Sequence, residues 1–259
     1  MTGFRVEDRD HTRWIILDRP NRRNALIPPM LAGMTAAVSS AHTDGQRAIA
    51  LSGEEGAFCA GADLRWAAEQ GPEFFNNLDD HLARYQKLVR ALVDSPLPTL
   101  AVLDGAAFGF GADLALACDL RVASDRAYFQ EGFVRIGLLP DGGGTWMLPR
   151  LVGLSKALEL ALLGERLPAE EARRIGLVTR VVRTEALQGT AADILRSLAL
   201  GPPLALGHIK RLMRAGLSRP FDEALAAEGM AQLECLRSAD CAEGIVAFFG
   251  KRPARFEGR

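Results

Sequence analysis

The sequence has few cysteines and histidines, and they form no pattern that binds a metal ion. The cysteines are Cys59, Cys118, Cys235 and Cys241, without a C-x-x-C pair, and the four histidines have no ligand-like spacing with them. A chain of 259 residues buries a sizeable core without a disulfide framework. We therefore expect no disulfides, no structural zinc and no other metal.

Strong charge of one sign and long apolar runs are also missing. The net charge is −1, which gives no support for a surface that binds nucleic acid. No apolar run approaches the roughly 20 residues of a membrane helix. The first eight residues, MTGFRVED, contain no apolar signal core. The expected location is the cytoplasm, with neither a nucleic acid nor a membrane as partner.

What the first half does contain is an alternation of short apolar runs and helical patterns. Strands are predicted at residues 14–17, 48–51, 100–103 and 120–123. Helices are predicted from Pro28, over 72–93 and over 112–118, and 105–111 is predicted as a glycine-rich turn. Such alternation is typical of an α/β core with parallel strands. From about Gly153 the pattern becomes mostly helical.

Two glycine-containing turns follow predicted strands, at residues 57–64 and 105–114. The second opens a helix, where backbone N–H groups are unpaired and lie at the positive end of the helix dipole. Two such N–H groups from separate loops can converge on one oxygen and form an oxyanion hole. Spacing alone favours simple tight turns. Neither turn matches the G-x-G-x-x-G fingerprint, and no G-K-[ST] phosphate loop occurs.

Several segments, in order along nearly the whole chain, resemble the crotonase (enoyl-CoA hydratase/isomerase) superfamily. They are LDRPNRRNAL at 17–26, the two glycine turns, PDGGGT at 140–145 and AFFGKRPARF at 247–256. The stretch 137–150 is most similar to isomerases of the phenylacetyl-CoA degradation branch. The resemblance implies a ββα spiral core over 1–195 and a helical oligomerisation region over 196–259. It also implies a homotrimer or a dimer of trimers, and coenzyme A only as part of an acyl-CoA substrate.

The resemblance assigns backbone and coenzyme A contacts to particular residues. The oxyanion-hole donors would be the N–H groups of Ala62 and Phe110. Many relatives have glycine at the position of Phe110, and phenylalanine would be disfavoured there if φ were positive. Lysine suits a phosphate as a point charge, although Lys251 also fits a solvated tail. The predicted coenzyme A-binding residues are Arg23, Ala25, Ala60, Ala62, Asp63, Leu64, Phe248 and Lys251.

Three carboxyl groups are candidates for proton transfer. Asp113 occupies the position of the first catalytic glutamate of related hydratases, and Phe133, which cannot transfer a proton, occupies that of the second. Glu131 would share a face with residue 133 if 129–133 were extended. Asp141 occupies the position of an acidic catalytic residue in related isomerases and dehalogenases. Its local pattern also fits a helix N-cap or a turn.

The expected function is double-bond isomerisation of an enoyl-CoA, with Asp141 as the first choice of base and Asp113 as the second. One alternative is a hydratase that uses Asp113 with Glu131 or Asp141 to orient water. Another is dehalogenase- or hydrolase-like chemistry with Asp141 as nucleophile. A non-catalytic acyl-CoA-binding protein is the alternative outside enzymes, favoured by Phe110 and Phe133.

Overall fold

Two β-sheets form the centre of the molecule. The structure is a computed structural model that describes residues 3–259, apart from the side chains of Glu73 and Phe75; Met1 and Thr2 of the segment tested for a signal core lie outside it. The first sheet has the order β1 (Phe4–Arg9), β2 (Thr12–Leu17), β3 (Ala48–Gly53), β5 (Thr99–Leu103), β7 (Leu120–Ser124), β10 (Arg180–Val182). The second has the order β4 (Ala57–Cys59), β6 (Ala106–Phe108), β8 (Tyr128–Gln130), β9 (Leu167–Pro168).

The chain alternates between the sheets in a spiral. Strands β3, β5 and β7 each lie in the first sheet and are followed by β4, β6 and β8 in the second. Strands β2, β3, β5 and β7 pair in parallel, whereas β1–β2 and β8–β9 pair antiparallel. All of β5 and most of β3 are buried, which explains their continuous apolar runs. The predicted α/β architecture with parallel inner strands is confirmed.

Helices surround the sheets and dominate the second half. They are α1 (Pro28–Ser40), α2 (Leu64–Glu69), α3 (Pro72–Phe75), α4 (Leu78–Asp94), α5 (Phe110–Ala117), α6 (Gly144–Val152), α7 (Leu154–Leu163), α8 (Ala169–Arg174), α9 (Leu187–Ala199), α10 (Pro203–Gly216), α11 (Phe221–Arg237) and α12 (Ala239–Phe249). Short 3₁₀ helices occur at Pro20–Arg22, Gly132–Ile136 and Thr184–Ala186. Within residues 3–259, no helix is both long and apolar enough to cross a membrane.

The core has two parts on opposite faces of the first sheet. One includes Leu51, Phe58 and Leu88, and joins the sheet to the second sheet, α1 and α4. The other places α9 against the sheet, with Leu195 among its buried residues. Helix α9 therefore crosses the predicted boundary at 195/196. Beyond it α10 packs on α11, and α11 packs on α12, so the helical layer begins after α9.

Two local predictions were wrong, and one condition is not met. The predicted helix over 72–93 is two helices separated at Asn76 and Asn77, a residue type of low helix propensity. The predicted turn at 105–111 contains β6, which pairs in parallel with β4 and β8. Residues 129–133 are not extended throughout, since β8 ends at Gln130 and the 3₁₀ helix begins at Gly132. Strand alternation therefore does not place residues 131 and 133 on one face.

Candidate active site

Two backbone N–H groups from separate loops take no part in the hydrogen bonds of the sheets and helices. The N–H of Leu26 donates to the carbonyl of Gly61, and the N–H of Asp63 donates to the carbonyl of Leu26. This parallel bridge leaves the N–H of Ala62 outside the ladder, and no described residue accepts from it. Phe110 is the first residue of α5, so its N–H has no acceptor within the helix.

The two loops are in contact at Gly61. A Cβ placed on Gly61 would lie 2.7 Å from the carbonyl oxygen of Phe108 and 3.2 Å from the backbone nitrogen of Phe110. In the two loops, the residues with positive φ are Gly61 (84°), Gly105 (70°) and Gly109 (54°), and Phe110 is not among them. The side chain of Phe110 is therefore compatible with this loop geometry. The glycines permit the close approach that brings the N–H of Phe110 beside the Ala62 loop.

Asp113 lies completely buried in the first turn of α5, wrapped by the loop before α6. The N–H of Gly142 donates to its Oδ2 at 2.8 Å, while Oδ1 has no partner among the described residues. A Cβ on Gly142 would lie 2.7 Å from Asp113 Cβ, and one on Gly144 would lie 2.1 Å from Oδ1. Burial, together with the charge of Asp141, raises the pKa of Asp113 to about 7 against the opposing Gly142 hydrogen bond.

Glu131 is also buried, between β8 and the 3₁₀ helix that follows. Its Oε2 has no hydrogen-bond partner in the described part of the chain. Burial first, and then the charges of Asp113 and Asp141, raises its pKa well above the usual range.

Asp141 is the one residue of the three that is partly exposed. The residue is half-buried, and its buried Oδ1 has no partner among residues 3–259. Burial raises the pKa of this carboxyl above its ordinary value. The N-cap of α6 is Gly143, so the local alternative of an N-capping aspartate is wrong. The carbonyl of Asp141 accepts a hydrogen bond from Gln86 Nε2 at 3.3 Å.

Aromatic rings surround these groups. The ring of Phe110 packs edge-to-face on Tyr85 with 4.7 Å between centroids, and its Cε2 lies 2.8 Å from where a Cβ on Gly142 would be. Phe133 is buried, with Cζ 4.0 Å from a Cβ placed on Gly109. Tyr85 Oη donates to the carbonyl of Leu26 at 3.0 Å and so braces the Ala62 loop. Sequence reasoning identified Tyr85 only as one residue on an apolar helix face.

The structure brings together the predicted coenzyme A-binding residues that lie between positions 23 and 64. The N–H of Ala60 donates to the carbonyl of Arg23 at 3.0 Å, next to the buried Ala25. The carboxylate of Asp63 accepts from the N–H of Trp66 at 2.9 Å as the N-cap of α2.

Asp63 and Leu64, at the end of this loop, differ in whether the side chain already has partners within the chain. Asp63 also pairs with Arg19 at 2.8 Å, so its side chain already serves the fold. Leu64, by contrast, is 54% exposed. Beside Ala62, the fully buried Cys59 has its pKa raised to about 12 by burial, which fits packing rather than nucleophilic chemistry.

The two predicted coenzyme A-binding residues of the C-terminal region lie elsewhere. Phe248 is 78% exposed on α12 and makes an edge-to-face contact with Phe249. Lys251 is exposed just after α12, with a φ of 49°. Neither side chain is buried against the Ala62 loop in this chain. Across residues 3–259, no group of three or more His, Cys, Asp or Glu side chains could hold a metal ion.

Comparisons with known proteins agree with this geometry. The family model described as enoyl-CoA hydratase/isomerase matches residues 11–259. A Rhodobacter capsulatus protein named "Probable enoyl-CoA hydratase" is 43% identical over 245 residues, which are 95% of this chain and 94% of that protein. The 1,2-epoxyphenylacetyl-CoA isomerase of Escherichia coli is 38% identical over 249 residues, 95% of this chain and 94% of the enzyme.

Solved structures share the whole fold. An enoyl-CoA hydratase from Bacillus anthracis superposes with a TM-score of 0.94 at 30% identity, covering 99% of this chain and 100% of that one. An enoyl-CoA hydratase from Polaromonas sp. JS666 gives 0.94 at 31% identity, covering 98% and 99%. The match of the family model, the identities and the shared ββα spiral lead to one conclusion: this chain is a member of the enoyl-CoA hydratase/isomerase family, the crotonase superfamily.

Proposed function

We propose that this enzyme binds an acyl-CoA thioester at the Ala62 and Phe110 loops and shifts the double bond of an enoyl-CoA. The observation that carries the proposal is the position of Asp141. Of the three candidate residues it alone is partly exposed, whereas Asp113 and Glu131 are buried. A single accessible carboxylate suffices to remove a proton and return it.

The proposed reaction begins with a 3-enoyl-CoA whose thioester oxygen accepts hydrogen bonds from the N–H groups of Ala62 and Phe110. Asp141 removes a proton from C2, and the electron pair of that C–H bond delocalises onto the thioester oxygen as a dienolate. The proton returns from Asp141 to C4, and the double bond now joins C2 and C3. Donors already aimed at the oxygen stabilise the charge that develops there.

The surroundings of Asp141 suit this step. A general base works best when its pKa approaches the working pH, and burial shifts the pKa of Asp141 in that direction. Phe110 and Phe133 place apolar surface beside the loops. Phe133 cannot orient or activate water, which favours isomerisation over hydration by two acidic groups.

The contacts to coenzyme A are also part of the proposal. Six of the proposed contacts lie in or beside the Ala62 loop, where Leu64 is open to solvent. They are Arg23, Ala25, Ala60, Ala62, Asp63 and Leu64. Because the carboxylate of Asp63 is engaged by Arg19 and Trp66, we expect its backbone to face the ligand. Phe248 and Lys251 stay candidates for the nucleotide end.

The test is Asp141→Asn assayed on a 3-enoyl-CoA. Loss of the base should lower kcat by about 10²–10⁴-fold, the usual contribution of general acid–base catalysis. Asp193→Asn is the matched control, because Asp193 is an exposed carboxylate on α9, and it should retain wild-type turnover. Unchanged turnover of Asp141→Asn would remove this carboxylate from the reaction.

Hydration is the second candidate, supported by relatives whose names specify hydratases. It predicts that a 2-enoyl-CoA in ¹⁸O-labelled water gives labelled 3-hydroxyacyl-CoA. Product without label would reject it, and labelled product would displace isomerisation as the assigned reaction. Acyl-CoA binding by calorimetry with no turnover of either substrate would instead support a non-catalytic binding protein.

A further inference from the structure

We infer that Asp113 is a positioning residue, whose carboxylate anchors the loop that carries Asp141 and exchanges no proton with substrate. The inference deepens the proposed function and rests on it for the role of Asp141. It assigns a different task to the residue that occupies the position of a hydratase glutamate.

The contacts of Asp113 face the loop rather than the solvent. Its side chain is completely buried, and its Oδ2 accepts a 2.8 Å hydrogen bond from the N–H of Gly142. Gly142 directly follows Asp141, so this bond fixes the backbone beside the proposed base.

The glycines of the loop fit this anchor. A Cβ on Gly142 would meet Asp113 Cβ at 2.7 Å, and one on Gly144 would meet Oδ1 at 2.1 Å. Any side chain at either position would therefore push the carboxylate away. Gly143, between them, has a φ of 91°, a conformation that L side chains rarely adopt. Gly142 and Gly144 are therefore needed because Asp113 lies so close to them, and Gly143 is needed because of its positive φ.

The other groups near Asp113 do not offer it a route to substrate. Its charged neighbours are two further carboxyl groups, Asp141 and Glu131. Asp141 directly precedes Gly142, the donor to Asp113, and is partly exposed. Phe110 also lies close to Gly142, with its Cε2 2.8 Å from where a Cβ on Gly142 would be.

Asp113→Asn and Asp113→Ala separate an anchor from an acid. Asparagine keeps a side-chain oxygen that accepts from Gly142 N–H but cannot transfer a proton, so it should keep kcat within about tenfold of wild type. That loss is far below the roughly 10²–10⁴-fold loss of a proton-transfer group. Alanine removes the acceptor, and amide exchange at residues 141–144 should then accelerate at least tenfold, with a fall in kcat.

Amide hydrogen exchange is measured on the substrate-free protein, so it tests the anchor even if isomerisation is wrong. Asp240→Ala is the matched control, because Asp240 accepts from the N–H groups of Glu257 and Gly258 at the far end of the molecule. It should accelerate exchange at 257–258 and leave 141–144 unchanged. If Asp113→Ala does not fold, Gly144→Ala displaces the carboxylate instead and should give the same local acceleration.

Two results would overturn the inference. The first is an Asp113→Asn variant that is as inactive as Asp113→Ala but whose amide exchange at 141–144 stays at the wild-type rate. That result would make Asp113 a proton-transfer group. The other is unchanged exchange at 141–144 in both Asp113→Ala and Gly144→Ala. If wild type itself fails to turn over a 3-enoyl-CoA, the proposed function falls, and the exchange rates still decide whether the anchor exists.

Discussion

Asp113, Glu131 and Asp141 carry the same chemical group in three different environments. Burial raises the pKa of all three, and it is the largest cause in each case. Asp113 differs in accepting a backbone hydrogen bond, Glu131 in having an unpaired buried oxygen, and Asp141 in being partly exposed. At the scale of the residue, partial exposure rather than acidity therefore supports the proposal that Asp141 is the base.

The raised pKa of Asp113 predicts how stability changes with pH. In the folded state the pKa of Asp113 is about 7, whereas in the unfolded chain this carboxyl has its ordinary pKa of 3.8. Between these values the folded state binds more protons, so the Asp113 contribution to the free energy of unfolding falls as pH rises. One pKa unit corresponds to about 1.4 kcal/mol, so the full change is on the order of a few kcal/mol.

Chemical denaturation of wild type and Asp113→Asn at pH 4 to 8 measures this contribution. Because asparagine does not titrate, the stability of wild type relative to the variant should decline across the window from about pH 4 to about pH 7. Taking the difference cancels groups common to both proteins, such as Glu243 with its pKa lowered to about 2 by Arg252. Parallel stability curves would show that Asp113 does not carry a raised pKa.

At the scale of the element, parallel pairing explains why the two loops meet. Strands β4 and β6 are neighbours in the second sheet and run in the same direction, so the segments after Cys59 and Phe108 leave from the same edge. Helices α2 and α5 begin just beyond, at Leu64 and Phe110. The loops that carry Ala62 and Phe110 therefore lie side by side because of sheet topology, although the two residues are 48 positions apart in sequence.

Alanine at Gly61 and at Gly109 separates backbone strain from loop contact. Both glycines have positive φ, and forcing alanine into such a backbone conformation costs on the order of 1–3 kcal/mol. A Cβ at Gly109 meets nothing closer than 4.0 Å, whereas one at Gly61 would collide with the carbonyl of Phe108. Gly61→Ala should therefore be the more destabilising variant, because it also forces the loops apart.

Thermal unfolding and isomerase assays compare the two variants. Moving one oxyanion donor out of place should lower kcat of Gly61→Ala by about 10²–10³-fold. Equal loss of stability in both variants would contradict the close approach of the two loops at Gly61.

At the scale of the whole molecule, the C-terminal layer leaves a large apolar surface open. Met213, Phe221 and Met230 on α10 and α11 are each more than 70% exposed. Large apolar side chains exposed together on one surface are typical of surfaces that are buried by protein–protein contact. The layer is joined to the core by polar contacts, with the Nζ of Lys210 2.9 Å from a carboxylate oxygen of Asp119. A homotrimer or dimer of trimers and a cytoplasmic location stay predictions.

The apolar surface predicts assembly in solution. Sedimentation should give a mass several times the 28.0 kDa of one chain. Met230→Glu, which places a charge on the exposed layer without touching the core, should shift the mass toward the monomer while the thermal transition of the core persists. A monomeric wild type at all concentrations would contradict the prediction.

The sequence by itself determined the α/β core, because strands buried on both faces are apolar throughout and tight turns favour glycine. Its resemblance to the crotonase superfamily also singled out both loops and the three candidate carboxyl groups. Helix interruptions were harder to predict: the apolar spacing through Leu78 and Leu82 predicted one helix from 72 to 93, but the chain leaves the helical conformation at Asn76 and Asn77. Local periodicity reports which face is apolar, not where backbone hydrogen bonds end.

Only the tertiary structure decided which groups are accessible and which glycine needs positive φ. Gly109 takes that conformation and frees Phe110 from it, which depends on how the loop crosses Gly61. The burial of Asp113 and the brace from Tyr85 to Leu26 likewise come from segments far apart in the chain. Burial and proximity depend on contacts between distant segments, and such contacts are absent from the local pattern of a single sequence.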